Sequence, residues 1–189
     1  MPAQSPDTPR SLLEHTRDPR NAAAWERFTG LYAPLLSAWF RAAGLQPADA
    51  DDLVQRTFQL LVRKLPGFEH SGRPGAFRAW LRQAGLNLLR DFRKARAQPG
   101  AAGLDDQAAD SGFHQNWDRE HDLFVLHGLL DQARPDFSPR AWAAFCGTAL
   151  EGRPAAAVAA DLGMTPNAVL VARSRVLGRL RRDARGLLD

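Results

Sequence analysis

The sequence predicts an all-α protein of two small helical domains, a helical bundle and a helix-turn-helix domain, joined by a flexible acidic linker. Apolar residues recur with helical periodicity along the 189 residues, and no stretch alternates like a strand. Between residues 97 and 116 large apolar residues are scarce while Gly, Ala and Asp are frequent, which is typical of a tether. We therefore expect a disordered N-terminal segment (1–21), a first domain (22–96), the linker (97–116) and a second domain (117–189).

Composition indicates the cellular compartment and the general class of the protein. Apolar residues make up 44% of the chain and charged residues 24%, which is ordinary for a globular protein with a core. Cys146 is the single cysteine, so no intramolecular disulfide can form and a reducing compartment is expected. No run approaches the roughly 18 apolar residues that span a bilayer, and the N-terminus has no secretory pattern. We expect a soluble cytoplasmic protein without membrane insertion.

Three helices are expected in the first domain. An apolar stripe predicts the first over residues 23–43, with Pro34 inside it. Asp49 is expected to cap the second, with Asp52 in the capping-box position. The third is expected over residues 76–96.

The third helix carries an unusual polar face. Five of its residues fall on one line at spacings of three and four: Trp80, Gln83, Asn87, Arg90 and Lys94. An aromatic ring beside amides and cations suits stacking on unpaired bases and hydrogen bonding to them. The alternative is that Trp80 packs on a neighbouring helix and the other four are solvated surface.

The C-terminal segment is typical of a DNA-binding helix-turn-helix. A small-residue apolar helix ends at Gly163, where a left-handed residue can reverse the chain. Thr165 then provides an N-cap and Pro166 the first residue of a basic helix. This order of elements is the layout of a helix-turn-helix unit.

The two faces of that basic helix differ in chemistry. Its inner face is expected to pack on the core through Val169, Ala172, Val176 and Leu180. Its outer face carries Asn167, Val171, Ser174, Gly178, Arg181, Arg182 and Arg185, with Arg175 on the flank. Amide, hydroxyl, methyl and guanidinium groups are those that contact base edges and phosphates, and a glycine allows close approach to a phosphate backbone. The alternative is a solvated basic helix end, which also suits the helix dipole.

Three segments in order carry a resemblance to a known family. They are DADDLVQRTFQLLVRKLPGF, GAFRAWLRQAGLNLLRDFRKAR and the terminal helix-turn-helix. Together they resemble the extracytoplasmic-function (ECF) group of bacterial RNA polymerase sigma factors, with residues 22–96 as region 2 and 117–188 as region 4. The stretch FSPRAWAAFCGTALEGRPAAAVAADLGMTPNAV further resembles the ECF-like factors of planctomycete-type genomes.

The resemblance implies partners and roles for individual residues. The implied partners are core RNA polymerase, through its β′ clamp helices and β flap, and promoter DNA; an anti-sigma factor is a possible further partner whose existence the sequence does not reveal. Core binding falls to Asp51, Asp52, Gln55 and Gln59. Recognition and melting of the −10 element falls to Trp80, Gln83, Asn87, Arg90 and Lys94, with the loop 68–75 as a pocket for a flipped base. Recognition of the −35 element falls to Asn167, Val171, Ser174, Arg175, Arg181 and Arg182.

Two positions depart from the family pattern. Arg56 stands where the family usually has an acidic residue in its polymerase-binding motif. Leu170, Val171 and Ala172 replace the basic-Ser-Arg run of the recognition helix. Base readout near Leu170 is therefore expected to be more apolar, against thymine methyl groups.

Other functions have less support in the sequence. An enzyme is not expected, because the chain offers no nucleophile with a base, no glycine-rich phosphate loop and no cofactor motif. His114, His121 and His127 lack metal-ligand spacing and are expected to be surface polar residues, so no metal is predicted. Two alternatives remain, a stand-alone helix-turn-helix regulator and a sigma-like protein that binds polymerase without opening promoters.

Overall fold

A computed structural model describes residues 11–68, 75–96 and 106–188; between 106 and 119, Trp117 is the one described side chain. These residues contain eight α-helices and no strand, which confirms the all-α class. The helices are α1 (Leu12–His15), α2 (Ala22–Ala42), α3 (Pro47–Lys64), α4 (Ala76–Arg96), α5 (Asp106–Ala133), α6 (Pro139–Phe145), α7 (Ala155–Leu162) and α8 (Pro166–Ala184).

Helix α2 is the central element of the N-terminal bundle. The Asn21 side chain caps the N-terminus of α2. A buried stripe follows, with about one residue per helical turn: Phe28, Tyr32, Leu36 and Phe40. The rings of Phe28 and Tyr32 meet the ring of Phe77 from α4 at centroid distances of 5.9 and 5.7 Å. Large apolar residues at this spacing explain why the predicted first helix forms and why the others pack around it.

The predicted cap of α3 is wrong. The helix begins at Pro47 after the N-cap residue Gln46, which makes no side-chain capping bond. Proline favours this start because its φ is already helical. It also lacks an N–H, and an N–H in the first turn of a helix has no acceptor within the helix. Asp49 lies inside the helix instead, and its carboxylate accepts two hydrogen bonds from Arg96 at the end of α4, at 2.6 and 2.8 Å.

The segment 1–21, predicted to be disordered, is ordered from Ser11 onward. Ser11 and Glu14 form a reciprocal capping box at the start of α1. The side chains of Leu12 and Leu13 are buried in the main core, and this burial stabilises a helix of only four residues. The expectation for residues 1–10 lies outside the described residues.

The predicted linker is partly helical. Residues 97–105 lie outside the described part of the chain, but α5 already begins at Asp106. Trp117 on this helix is buried, with its ring centroid 5.1 Å from that of Trp39 on α2. The linker prediction was wrong for this segment because it rested on the scarcity of large apolar residues, whereas one tryptophan, Trp117, is enough to pack it on the bundle.

The C-terminal helices have the predicted turn. Gly163 adopts the left-handed conformation (φ 59°) at the end of α7, and Thr165 Oγ1 accepts a hydrogen bond from the Ala168 N–H at the start of α8. Val169, Ala172, Val176 and Leu180 are buried, as predicted. The chain bends by 103° between the two helices. In the described parts of the chain no helix by itself has the length and apolarity to cross a membrane; α7 and α8 together, bent as they are, reach that length and composition.

The two halves of the chain pack on each other. His121, expected at the surface, is fully buried, with Nε2 3.3 Å from the Tyr32 hydroxyl and Nδ1 3.1 Å from Asp122. Arg78 of α4 donates to the same Asp122 carboxylate at 2.6 Å. The histidine prediction failed because a lone polar residue on a helix gives no sequence signal of a partner on another helix.

The Asp122 carboxylate makes the stability of this contact depend on pH. Its burial raises its pKa, but the hydrogen bonds from Arg78 and His121 outweigh that effect and lower the pKa overall. The pair therefore stabilises the fold above the unfolded-state pKa of about 3.9, and this contribution is lost as the pH falls through the lower folded-state pKa. We expect Asp122→Asn to reduce the free energy of unfolding at pH 7 by about 1 kcal/mol or less, because the carboxylate is half exposed. Urea unfolding at pH 7 and pH 3 checks this, since the difference from the parent should be smaller at pH 3.

Candidate polymerase and nucleic-acid interface

The predicted polymerase-binding residues lie on the accessible side of α3. Asp51, Gln55 and Gln59 are exposed, and Asp52 is half-buried. Asp52 is also paired within the helix, because Arg56 Nη2 lies 2.7 Å from its carboxylate. This is an i, i+4 pair with both side chains about half exposed, so it is weak. Asp51 and the amides of Gln55 and Gln59 are thus accessible to a binding partner, whereas Arg56 would compete with that partner for the Asp52 carboxylate.

A shallow apolar groove runs beside these residues, between α2 and α3. It has a volume of about 440 Å³ and is lined by Thr29, Ala33, Val54, Gln55, Phe58, Gln59 and Val62. Phe58 is only half-buried, and Val62 is 41% exposed. An apolar floor with two amides at its edge can receive an apolar side chain from a partner and hydrogen-bond its backbone.

The predicted face of α4 divides into a packed end and an open end. Trp80 is half-buried against the rings of Phe68 and Phe77, at centroid distances of 5.2 and 5.9 Å. Gln83 and Asn87 are exposed, and Gln83 Nε2 donates to Asn87 Oδ1 at 2.9 Å. Trp80 therefore packs on a ring of its own helix and on the ring of Phe68, which follows α3, and its side chain remains partly accessible.

Cations extend the α4 face toward its C-terminus. Lys94 is exposed and Arg90 half-buried. The end of the helix is held in place by Arg93, which donates to the Ala43 carbonyl at 2.9 Å, and by the Arg96–Asp49 pair described above. The face is thus a ring, an amide pair and a basic end on one rigid helix, an arrangement that can stack a base and contact the adjoining phosphates. Most of the predicted pocket loop (residues 69–74) lies outside the described residues.

The predicted face of α8 is almost entirely accessible. Asn167, Val171, Ser174, Arg175 and Arg181 are exposed, and Arg182 is half-buried. Leu170 and Val171 are 48% and 41% exposed, so this face has an apolar patch among its arginines. The bend of 103° before α8 lies within the range of helix-turn-helix units. Such a surface offers methyl groups to thymine and guanidinium groups to guanine or phosphate.

Sequence reasoning missed two sets of residues. The groove residues Thr29, Ala33 and Val62 were overlooked; an exposed valine in an amphipathic helix was the available signal. The contacts between the halves were also missed, above all the Arg27 Nη2 to Asp183 Oδ2 bond of 2.6 Å. Residues 156 positions apart give no local pattern from which to predict such a pair.

The fold and these surfaces define an all-α protein whose N-terminal bundle presents an apolar groove and a basic, amide-bearing helix face. Residues 30–98, which include most of α2 and all of α3 and α4, match the family model of sigma-70 region 2. This segment, about a third of the chain, is thus similar to region 2 of sigma-70 factors. No curated protein and no solved structure matches the chain.

Proposed function

We propose that this chain is an ECF-type sigma factor that binds core RNA polymerase in the cytoplasm, recognises the −35 element and melts the −10 element. The observation that carries the proposal is the region 2 match over α3 and α4, two helices whose predicted faces are largely accessible. A stand-alone regulator has no use for either face.

Core binding is assigned to the α2–α3 groove and its rim. The β′ clamp helices are proposed to place apolar side chains against Ala33, Phe58 and Val62. Gln55 and Gln59 then hydrogen-bond the partner at the rim, and Asp51 supplies a charge. A groove that combines apolar floor and polar rim has the usual composition of a protein–protein contact.

DNA recognition is divided between two helices. Trp80 and Asn87 are proposed to stabilise unpaired −10 bases by stacking and hydrogen bonding, with Arg90 and Lys94 on the backbone. The outer face of α8, with Asn167, is proposed to read the −35 duplex, assisted by the β flap, which positions this half on the polymerase.

A pull-down of core polymerase with the purified protein, followed by permanganate footprinting on its own genomic DNA, tests the proposal. Core binding with localised melting is the expected result and also identifies the promoters. Retention of duplex DNA without core binding would contradict a sigma factor and favour the stand-alone regulator.

The Arg56–Asp52 pair favours a second candidate, a sigma-like protein that binds core without opening promoters. Arg56 places a cation where the family has an acid and engages one of the proposed contact carboxylates. Core binding without permanganate-reactive thymines is the result that this candidate predicts.

Releasing Asp52 should strengthen core binding. We expect Arg56→Gln to lower the dissociation constant for core polymerase about two- to fivefold, because a weak surface pair of up to about 1 kcal/mol no longer competes for the carboxylate. Arg63→Gln, at another exposed arginine of α3, is the matched control. Weaker binding of Arg56→Gln would instead place the guanidinium itself in the interface.

A further inference from the structure

A contact from outside the matched segment reaches the proposed −10 helix. Arg17, which lies between α1 and α2, donates from Nη2 to the Phe68 carbonyl at 2.7 Å. The Phe68 ring packs on the Trp80 ring of α4, with 5.2 Å between the ring centroids. Residue 17 precedes the family match, which begins at residue 30. The tryptophan proposed to stack on a base is therefore connected to a segment that the family model does not include.

The backbone around Arg17 is fixed on both sides. Helix α1, which precedes it, is packed in the main core. The buried Thr16 side chain donates to the Leu13 carbonyl at 2.9 Å. On the other side, the Asp18 carbonyl accepts a hydrogen bond from Trp25 Nε1 of α2 at 3.3 Å. Because both neighbouring residues are held in this way, the Arg17 side chain extends from a fixed point and can hold its partner in place.

The two rings that contact Trp80 are held differently. Phe77 is fully buried in the core. Phe68 is half-buried and follows a single 3₁₀ turn, in which its N–H donates to the Leu65 carbonyl at 3.0 Å. With its carbonyl bonded to Arg17, both backbone polar groups of Phe68 have partners. The Arg17 bond therefore helps to determine where the Phe68 ring lies against Trp80.

The orientation of a ring matters when it stacks on a base. A ring that turns freely loses conformational entropy when the base binds, which reduces the net gain from stacking. A ring already held by its neighbours has lost that freedom in the free protein, so more of the stacking energy contributes to binding. The Arg17 guanidinium suits this holding role, because a charged donor forms a stronger hydrogen bond with a carbonyl than a neutral donor does.

We propose that Arg17 is a positioning residue of the −10 site. Through the Phe68 carbonyl it holds the Phe68 ring against Trp80, and so keeps Trp80 oriented to stack on an unpaired base. The proposal rests on the proposed function and adds residues 11–21 to the part of the chain that promoter opening requires. Arg17 needs no contact with DNA in this role, because its effect is transmitted by Phe68.

Promoter opening by full-length Arg17 variants with core polymerase tests the proposal, measured as permanganate reactivity of promoter thymines. Arg17→Met, which keeps a long side chain but has no donor, should lower opening about three- to tenfold and leave core binding within about twofold. Arg17→Lys, which can still donate to the carbonyl, should recover most of this loss. Arg20→Met, at an exposed arginine of the same connection, is the matched control and should behave like the parent.

Combined substitutions separate this role from a general effect on the fold. Arg17→Met should cause no further loss of opening in a Trp80→Ala background, because no ring is left there to position. Phe68→Leu, which removes the backing ring and keeps the backbone carbonyl, should reduce opening as Arg17→Met does. Circular dichroism of each variant checks that its helices are intact.

Each other outcome overturns the proposal in a different way. Opening like the parent's in Arg17→Met or Phe68→Leu would show that this contact does not position Trp80, and would leave the proposed function intact. Opening by Arg17→Lys no better than by Arg17→Met would show that donation to the carbonyl is not what matters. A further loss in the Trp80→Ala background would place the effect of Arg17 elsewhere, and an equal loss of core binding would assign it a general structural role. Absence of core binding by the parent would overturn the proposed function together with this inference.

Discussion

Replacement of Trp80 or Asn87 by alanine is expected to reduce promoter opening about tenfold or more while leaving core binding within twofold. Stacking of one base on an aromatic side chain is worth about 1–3 kcal/mol, which corresponds to a factor of about 5 to 150. Both side chains lie on α4, away from the groove residues, so polymerase contacts are untouched. Permanganate reactivity of promoter thymines measures opening, and a core pull-down measures binding.

The two substitutions need separate controls, because their environments differ. Asn87 is exposed, and its Oδ1 accepts a hydrogen bond from the equally exposed Gln83 side chain, so Asn87→Ala should leave stability unchanged. Trp80 also packs on Phe68 and Phe77, so Trp80→Phe distinguishes loss of stacking area from loss of folding. Gln46→Ala, at another exposed amide, is the matched negative control. Equal loss of core binding and opening in Asn87→Ala would contradict the assignment.

Gly85→Ala is expected to lower the free energy of unfolding by about 2 kcal/mol, although alanine is the better helix former. A Cβ at this position of α4 would lie 2.1 Å from Trp39 Cζ3. Trp39 cannot move aside easily, because it is buried between Phe40 and Trp117, at centroid distances of 4.8 and 5.1 Å. The melting temperature should fall by about 4–8 °C.

Gly178→Ala provides the matched comparison, since it makes the same change in another helix. The nearest atom to a Cβ there is Arg182 Nη1 at 3.9 Å, an ordinary contact. This variant should gain about 0.5–1 kcal/mol of stability. Thermal unfolding of both variants tests whether the two changes have opposite effects on stability. A Gly85→Ala protein as stable as the Gly178→Ala protein would show that Trp39 and Trp117 repack freely. If the Gly178 surface approaches a phosphate backbone as proposed, Gly178→Ala should also weaken duplex binding.

Helical periodicity was sufficient to predict the class of fold and most of the elements. The stripe of α2 and the turn at Gly163 were predictable because local spacing and backbone preference determine them. The start of α3 was not predictable. Asp49 fits the local sequence pattern of an N-cap, but its carboxylate pairs with Arg96, which lies 47 residues away. The packing of α1 and of Trp117 in the core likewise depends on residues that are distant in sequence.

The candidate site was predictable to the extent that it lies on single helices. Gln83 and Asn87 share a face because they are four residues apart, and the structure leaves that face open. The groove beside Gln55 was not predictable, because it arises between α2 and α3, and neither helix alone indicates which apolar residues the other fails to cover.

The dependence of the second half on α2 bears on how the protein can be divided. Val125, Leu129 and Ala133 of α5 are buried in a core shared with α2, so a fragment that begins near Trp117 would present them to water. Such a fragment should self-associate when expressed alone, since a row of apolar residues without its cover drives aggregation. Co-expression with the complementary N-terminal fragment should restore solubility, and the two pieces should purify as a non-covalent pair.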